Sequence, residues 1–407
     1  MIICYSIWQI VFLWGIFTLQ ITSMIYRKKY IDLFHKVIQD KTNRYFAIIW
    51  PYGIGKSTFL RECEQFDIFG DKHHYQHIDR EEGSALAQHD IQDGVKILII
   101  DSAENLEISE IRSFIESLSS EIRVVFTYEE ELYDDDITIF RLSTIWLREY
   151  LEHETGSISI SDIFAGDIDI GRLNTLRDIY IKNGGYPEHL LMGTSIKEDF
   201  DKKKAIIYQE LFEKEYSLFD SYMRTIAMNI GNLFKADQIA KLMNISRRKV
   251  NKYTELLIQH DIVKPIGPWV QDTHTETSRH VKLYFSDLGY LSALLWNIHG
   301  EGTLRQGATE NLIFLELQRK LSDTHTLYFY RKKSGAEIAF IAENDENTLI
   351  TPIVVTTRST DISPQVFRVF DEEYHDSIER YMIFNDTKWS ISSLRDTQIM
   401  ILPHIGI

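Results

Sequence analysis

The sequence predicts an α/β protein built on a parallel sheet, and three apolar runs carry that expectation. Tyr45-Phe-Ala-Ile-Ile-Trp50 is followed by the turn Pro51-Tyr-Gly-Ile-Gly55 and by a helical opening, Ser57-Thr-Phe-Leu-Arg-Glu-Cys63. Val95-Lys-Ile-Leu-Ile-Ile-Asp101 ends on an acid, and Arg123-Val-Val-Phe-Thr127 reads as a further strand. Strands buried on both faces read as continuous apolar runs of this kind, and a crossover between two of them suits parallel pairing.

The first turn says what such a sheet would hold. Gly55-Lys56-Ser57 is the second half of the phosphate-binding pattern G-x-x-x-x-G-K-[ST], with Trp50 where the first glycine belongs. That position ends the strand and turns away from the phosphates, whereas Gly53 and Gly55 permit close backbone approach. The expected nucleotide-binding residues are Gly53, Gly55, Lys56, Ser57 and Thr58. Backbone N–H groups surround a β-phosphate, Lys56 reaches the β/γ oxygens and Ser57 holds Mg²⁺. Asp101 orders the water shell of that metal, so ATP and Mg²⁺ are the expected ligands. Hydrolysis is a separate matter. Many such ATPases place a Glu directly after the Asp to orient the attacking water; here Ser102 follows, and the next acid is Glu104. Asp101 and Glu104 are therefore the candidate catalytic residues, and the expectation is binding with slow or absent turnover.

A chain of 407 residues exceeds one ordinary core, so two or three domains are expected. A net charge of −16 argues against wrapping nucleic acid over the whole surface and leaves a local basic face open. Cys4 and Cys63 are the only cysteines, too few for a disulfide framework or a zinc site, which suits a reducing cytoplasm. The histidines are scattered, and no Ser-His-Asp or His-metal spacing is legible. From Met1 to Tyr26 no residue is charged, and Arg27-Lys28-Lys29 follows. Residues 1–23 read either as a membrane anchor held by that basic cluster or as sequence upstream of a true start at Met24.

The second half carries its own patterns. Leu142-Ser-Thr-Ile-Trp-Leu-Arg-Glu-Tyr-Leu151 has helical spacing and is placed in a lid region. Ala240, Asn244 and Val250 have the spacing of a helix–turn–helix, in which Ala permits close crossing and Asn tolerates a left-handed turn. Arg247, Arg248, Lys249 and Lys252 lie on its second helix, where a recognition helix meets DNA; the bland alternative is a packing module with a solvated basic face. Glu310-Asn-Leu-Ile-Phe-Leu-Glu-Leu-Gln-Arg319 reads as an amphipathic helix. Leu327–Tyr330, Glu337–Ile341 and Pro352–Thr356 read as strands.

In this order the motifs resemble the AAA-type P-loop ATPases of archaea and bacteria that carry a winged helix and a C-terminal restriction-endonuclease-like domain of unknown function. Met24-Ile-Tyr-Arg27, Gly184-Gly185-Tyr186-Pro187, Tyr284-Phe-Ser-Asp287-Leu-Gly289 and Glu310-Asn311 look like that family's motifs, and the likeness runs through nearly the whole chain from Met24. The resemblance implies a P-loop NTPase parallel sheet with a helical lid, a winged helix and a small α/β restriction-endonuclease-like domain. Their expected spans are 24–150 for the nucleotide core, 151–222 for the lid, 223–300 for the winged helix and 301–407 for the last domain.

The departures from the family matter equally. Its Asp-Glu is Asp101-Ser102 here, and its Thr-Gly-Ser is Thr127-Tyr128-Glu129. Its Gly-Arg pair is absent, and Asp134-Asp135-Asp136 lies there, three charges expected to repel a transferring phosphoryl group. Its nuclease Glu-x-Asp is Glu337-Ile338-Ala339, and its Pro-Ile-Glu-Val-Lys is Pro352-Ile-Val354-Val-Thr356, so only Glu310 and Glu337 remain of a metal site. The expectation is a nucleotide-dependent switch with an inactive nuclease-like domain and a protein partner of unstated kind. The rivals are a DNA-binding regulator with a structural P-loop domain and a membrane-tethered ATPase.

Overall fold

The computed structural model describes residues 25–406 apart from 26, 41, 50–52, 72, 80–85, 87–89, 102, 104–105, 129–131, 133, 157–168, 195, 270–279, 296–302, 322–323, 333–336, 347, 358–366, 386–389 and 395–396. The chain divides into two compact units, one ending at Ile145 and one beginning at Trp146. Residues 1–23 lie outside the described residues, and among those described no helix is long and apolar enough to cross a membrane.

The first unit opens with α1 (Lys28–Gln39), whose Tyr30, Ile31, Phe34 and Ile38 form one buried stripe at helical spacing. Then follow β1 (Tyr45–Ile49), α2 (Lys56–Gln65), β2 (Tyr75–Asp79), β3 (Ile97–Asp101), α3 (Ile108–Ser117), β4 (Arg123–Tyr128) and β5 (Ile137–Arg141). The sheet order is β2-β3-β4-β1-β5, with every pair parallel. Ile111 and Ile115 of α3 pack with Leu98, Ile100, Val124 and Phe126 in one apolar cluster. The rings of Phe34, Phe59 and Phe140 meet with centroids 5.0–5.8 Å apart and join α1, α2 and β5. β1, β3 and β4 match their apolar runs. β2 and β5 were not legible, because YQHID and ITIFR mix polar residues into edge strands of the sheet.

Leu142–Leu151 is not one helix. The Leu142 N–H donates to Ile49 O at 3.2 Å and continues the extended chain. The second unit's α4 (Leu147–Thr155) begins only after Trp146, whose N–H donates to the Glu149 carboxylate at 2.8 Å. The β-branched Thr144-Ile145 pair favours the extended state before this start.

Beyond α4 come α5 (Ile170–Asn183), α6 (Pro187–Met192), α7 (Ile196–Tyr208) and α8 (Tyr216–Met228). β6 (Leu233–Phe234), α9 (Ala236–Met243), α10 (Arg247–Gln259), β7 (Val263–Ile266) and β8 (Val281–Phe285) follow, and the three strands form an antiparallel sheet in the order β6-β8-β7. Asn244 takes φ +53° between α9 and α10, as the spacing predicts, and Ser246 Oγ accepts from Lys249 N to cap α10. The chain continues through α11 (Leu288–Leu294), α12 (Thr303–Leu321), β9 (His325–Arg331), β10 (Glu337–Asn344), β11 (Ile350–Val355), α13 (Arg368–Tyr374), β12 (Tyr381–Asn385), β13 (Ser390–Leu394) and β14 (Thr397–Pro403). The last sheet runs β13-β14-β12-β11-β10-β9, with an antiparallel meander β9–β10–β11 and parallel pairs β11–β12 and β12–β14. Its core gathers Trp269, Tyr330, Ile341, Phe367, Phe370 and Tyr381.

Candidate nucleotide-binding site

The turn between β1 and α2 has the backbone its glycines imply. Gly53 has φ +81° and Gly55 φ +88°, a left-handed region that a side chain resists. The helix begins at Lys56, and its first bond of the i to i−4 kind runs from Phe59 N to Gly55 O at 2.9 Å. The N–H groups of residues 56–58 thus belong to a first turn that has no intrahelical acceptor for them, at the positive end of the helix. Lys56 is buried, Ser57 half-buried and Thr58 exposed. Trp50, Pro51 and Tyr52 lie outside the described residues.

Two neighbouring strands end at the same edge of the sheet. Asp101, the last residue of β3, is 1% exposed, and its Oδ1 accepts from Thr127 Oγ1 of β4 at 3.1 Å. In the sequence Thr127 shows only as the start of an altered motif; a threonine closing a strand beside an acid-ended strand was the available signal. Behind Asp101 stands His77 of β2, its Nδ1 2.5 Å from Glu64 Oε1 of α2 and its Nε2 3.9 Å from Asp101 Oδ2. Ser102 and Glu104 lie outside the described residues.

One expectation about the site is corrected. Asp134, Asp135 and Asp136 precede β5, whose first residue Ile137 pairs with Tyr45 at the start of β1. They therefore stand at the opposite edge of the sheet from Lys56 and Asp101, and repel nothing at the phosphate turn. Arg112 Nε donates to Asp134 at 2.8 Å, and this bond, with the nearby guanidinium charge, lowers the Asp134 pKa. Tyr128 is also turned into the core: its hydroxyl donates to Leu106 O at 3.3 Å and its ring meets Phe126 edge-on.

These residues fit a polyphosphate with a divalent cation. Two left-handed glycines, a helix N-terminus and a lysine at its first residue are groups that could serve phosphate oxygens, and Asp101 is one that could serve a metal. Among the described residues no group of three His, Cys, Asp or Glu is placed to hold a metal ion alone. A cation here would rely on phosphate oxygens together with Ser57 and Asp101, the usual manner of Mg²⁺.

The second constellation lies in the second unit. Glu310 of α12 and Glu337 of β10 do come together, and between them stands a residue that sequence reading missed. Lys282 of β8 is fully buried, with Nζ 2.9 Å from Glu310 Oε1 and 2.7 Å from Glu337 Oε1. Tyr284 donates its hydroxyl to Glu310 at 2.5 Å, and Arg331 donates to Glu337 at 2.8 Å. Burial opposes charge on Lys282, yet the two carboxylates outweigh burial and raise its pKa. Both carboxylates are satisfied by protein cations. The signal for Lys282 was one charged residue inside the apolar strand VKLYF.

The remaining motifs form a structural staple. Asp287 accepts from Gly185 N at 2.8 Å and from Gly289 N at 2.7 Å, so it binds the Gly-Gly-Tyr-Pro segment to the start of α11. Burial raises its pKa against those two N–H groups. Gly184 has φ +77°, and a Cβ there would stand 1.9 Å from Asp287 Oδ1. Asn311 holds the Phe285 backbone by both its N–H and its carbonyl, at 2.7 and 2.9 Å. Of the basic residues on α10, Arg247 is paired with Asp237 at 3.2 Å and Lys249 with Glu215 at 2.6 Å, while Arg248 and Lys252 are exposed.

Comparison with known proteins adds a partial frame. Residues 175–299 match a domain of unknown function (DUF8612), a span that includes Gly184–Pro187 and Tyr284–Gly289. An uncharacterized protein of Methanocaldococcus jannaschii is 27% identical over 42% of this chain and 40% of its own length. An uncharacterized protein of Mycobacterium tuberculosis is 25% identical over 28% of this chain and 26% of its own length. The chain thus spans less than half the length of these relatives. Among solved structures, the RuvB Holliday junction branch migration motor of Thermotoga maritima aligns with 63% of this chain and 90% of its own, at 14% identity and TM-score 0.27. Cdc6p of Pyrobaculum aerophilum aligns with 70% of this chain and 93% of its own, at 11% identity and TM-score 0.27. At such scores the superpositions do not establish a shared fold.

Proposed function

We propose that this chain is an AAA-type P-loop protein that binds Mg²⁺-ATP and acts as a nucleotide-dependent switch with weak or absent hydrolysis. The carrying observation is the left-handed Gly53–Gly55 turn entering α2 beside Asp101 and Thr127, all at the C-terminal edge of a parallel sheet of order β2-β3-β4-β1-β5. Ligands of open parallel sheets bind outside that edge. Gly53, Gly55, Lys56, Ser57 and Thr58 would contact nucleotide, and Ser57 with Asp101 would serve the metal. A nucleotide-bound cation is the chemistry that Mg²⁺ supplies; the chain's own residues hold phosphate and orient Asp101.

Weak hydrolysis follows from Ser102, which cannot orient water as a carboxylate does. Mg²⁺-ATP affinity and phosphate release measured on one preparation test the proposal. Tight binding with slow release is expected, and Ser102→Glu raises the rate, by up to about 10²–10⁴-fold for one general-base contact. Brisk wild-type turnover that collapses in Glu104→Ala overturns the weak-hydrolysis part.

The second unit supports two further assignments within this proposal. β6-α9-α10-β7-β8, two helices joined at the left-handed Asn244 beside a small antiparallel sheet, supports the winged-helix reading. The order α12-β9-β10-β11-α13-β12, with β12 parallel to β11, suits a restriction-endonuclease-like domain, and Lys282 between its two carboxylates supports an inactive one. The alternative function, a DNA-binding regulator, draws on Arg248 and Lys252, but Arg247 and Lys249 already have acidic partners. Duplex binding by the full chain, lost in Arg248→Glu with Lys252→Glu and weakened by salt, would favour that alternative.

A further inference from the structure

We infer that His77 is a positioning residue for Asp101, held by Glu64 so that its Nε2 edge fixes the carboxylate that serves the nucleotide-bound cation. The inference rests on the nucleotide reading above and adds to it a part that no motif contains. Glu64 lies in the last turn of α2, the helix whose first residue is Lys56. His77 lies in β2, two residues before Asp79, which pairs with Asp101. His77 and Asp101 therefore project to the same face of the sheet, because strand residues two apart share a face.

The geometry of the imidazole is what carries the argument. Its Nδ1 is 2.5 Å from Glu64 Oε1, so Glu64 accepts a hydrogen bond from Nδ1–H and sets the ring orientation; the ring donates to Asp101 from Nε2 when both nitrogens carry a proton, the form that suits a ring placed between two carboxylates. The other nitrogen, Nε2, is buried and has no hydrogen-bond partner among the described residues. It stands 3.9 Å from Asp101 Oδ2, outside hydrogen-bond length but with Asp101 as the carboxylate it faces. A buried ring nitrogen left unsatisfied is costly, and such groups concentrate where a ligand completes them. Asp101 Oδ1 is meanwhile held by Thr127 at 3.1 Å. The carboxylate is thus flanked on one oxygen by a hydroxyl and on the other by an imidazole. A small movement of Asp101 on cation binding would bring Oδ2 to Nε2. Partners of this kind behind a metal-serving carboxylate typically contribute roughly 10–100-fold in metal affinity. The sequence also has Ser102 directly after Asp101 where a Glu is usual, so an outer partner of Asp101 carries more weight here.

The alternative is that His77 only packs α2 onto the sheet, and paired variants separate the two. The Gln amide nitrogen falls near the imidazole Nε2 position, whereas the shorter Asn reaches only to Nδ1. His77→Asn should therefore keep the Glu64 contact and lose Asp101, and His77→Gln should keep a donor at Asp101. Calorimetry with a non-hydrolysable ATP analogue, in Mg²⁺ and in EDTA, reads the difference on the full chain. We expect His77→Asn to lose roughly 10–100-fold in Mg²⁺-dependent affinity with the EDTA affinity within about twofold, and His77→Gln to stay near wild type. Equal losses with and without Mg²⁺, no loss in His77→Asn, or a Gln variant as impaired as the Asn variant would overturn the inference. If His77→Asn is too unstable to assay, Glu64→Ala, which releases the ring, gives the same comparison. Wild-type protein that binds no nucleotide in either buffer overturns the nucleotide reading itself, a result distinct from binding without a metal-specific loss.

Discussion

The phosphate turn and the Asp287–Lys282 region use the same parts to opposite ends. Each has a glycine with positive φ, a carboxylate near a strand end and a buried lysine. Around Gly184 the backbone donors are taken up from inside: Asp287 accepts from Gly185 and Gly289, and Lys282 is enclosed by Glu310 and Glu337. At α2 the helix starts on a left-handed glycine with no side-chain cap. A helix start without a side-chain cap among the described residues could take an external anion; one whose charges are matched internally is a joint. The difference teaches that a surviving pair of carboxylates says little about chemistry until its counter-charge is known.

The comparison can be broken most severely at Lys282. Lys282→Met removes the cation and leaves two carboxylates facing each other, at a cost of about 3–5 kcal/mol for one half of a buried pair. Chemical denaturation measures it, and Glu310→Gln with Glu337→Gln added to Lys282→Met should recover much of the loss. Supercoiled plasmid incubated with wild-type protein and Mg²⁺ or Mn²⁺ should remain unnicked. Nicking that disappears in Glu310→Ala with Glu337→Ala would show the joint to be a working site.

Lys56→Ala is the matching test of the phosphate turn. Removing a charge-assisted contact of about 1.5–3 kcal/mol lowers Mg²⁺-ATP affinity by about 10–100-fold while the fold survives. Calorimetry decides, and unchanged affinity in a folded variant would make the turn another joint.

Gly184→Ala sharpens the contrast at the glycines. Its Cβ would lie 1.9 Å from Asp287 Oδ1 and 2.6 Å from Gly289 N, at φ +77°, so a loss of about 2–3 kcal/mol is expected. Gly193 has φ +66° with open space where a methyl group would stand, so Gly193→Ala should cost about 1 kcal/mol, for backbone strain alone. Equal melting shifts for the two would remove Asp287 from the account. An effect of similar size belongs to a helix start that caps itself. Ser246→Ala removes the acceptor of Lys249 N and should cost about 1 kcal/mol without changing nucleotide affinity.

By itself the sequence determined the strands β1, β3 and β4, the glycine turn after β1, the helix–turn–helix spacing and the presence of strands β9, β10 and β11. Those features are local: apolar runs mark buried strands, glycines mark left-handed turns, and helical spacing marks a packing face. Only the tertiary structure decided what the charged residues do, because a carboxylate's role depends on groups far away in sequence. It moved Asp134 to Asp136 to the wrong edge for phosphate, placed Lys282 between Glu310 and Glu337, and tied Gly185 to Asp287 across 102 residues. It also set His77 behind Asp101, where spacing along the chain had shown only a scattered histidine. Electrostatic partners are chosen by distance in space and by burial, and neither is written in the order of residues.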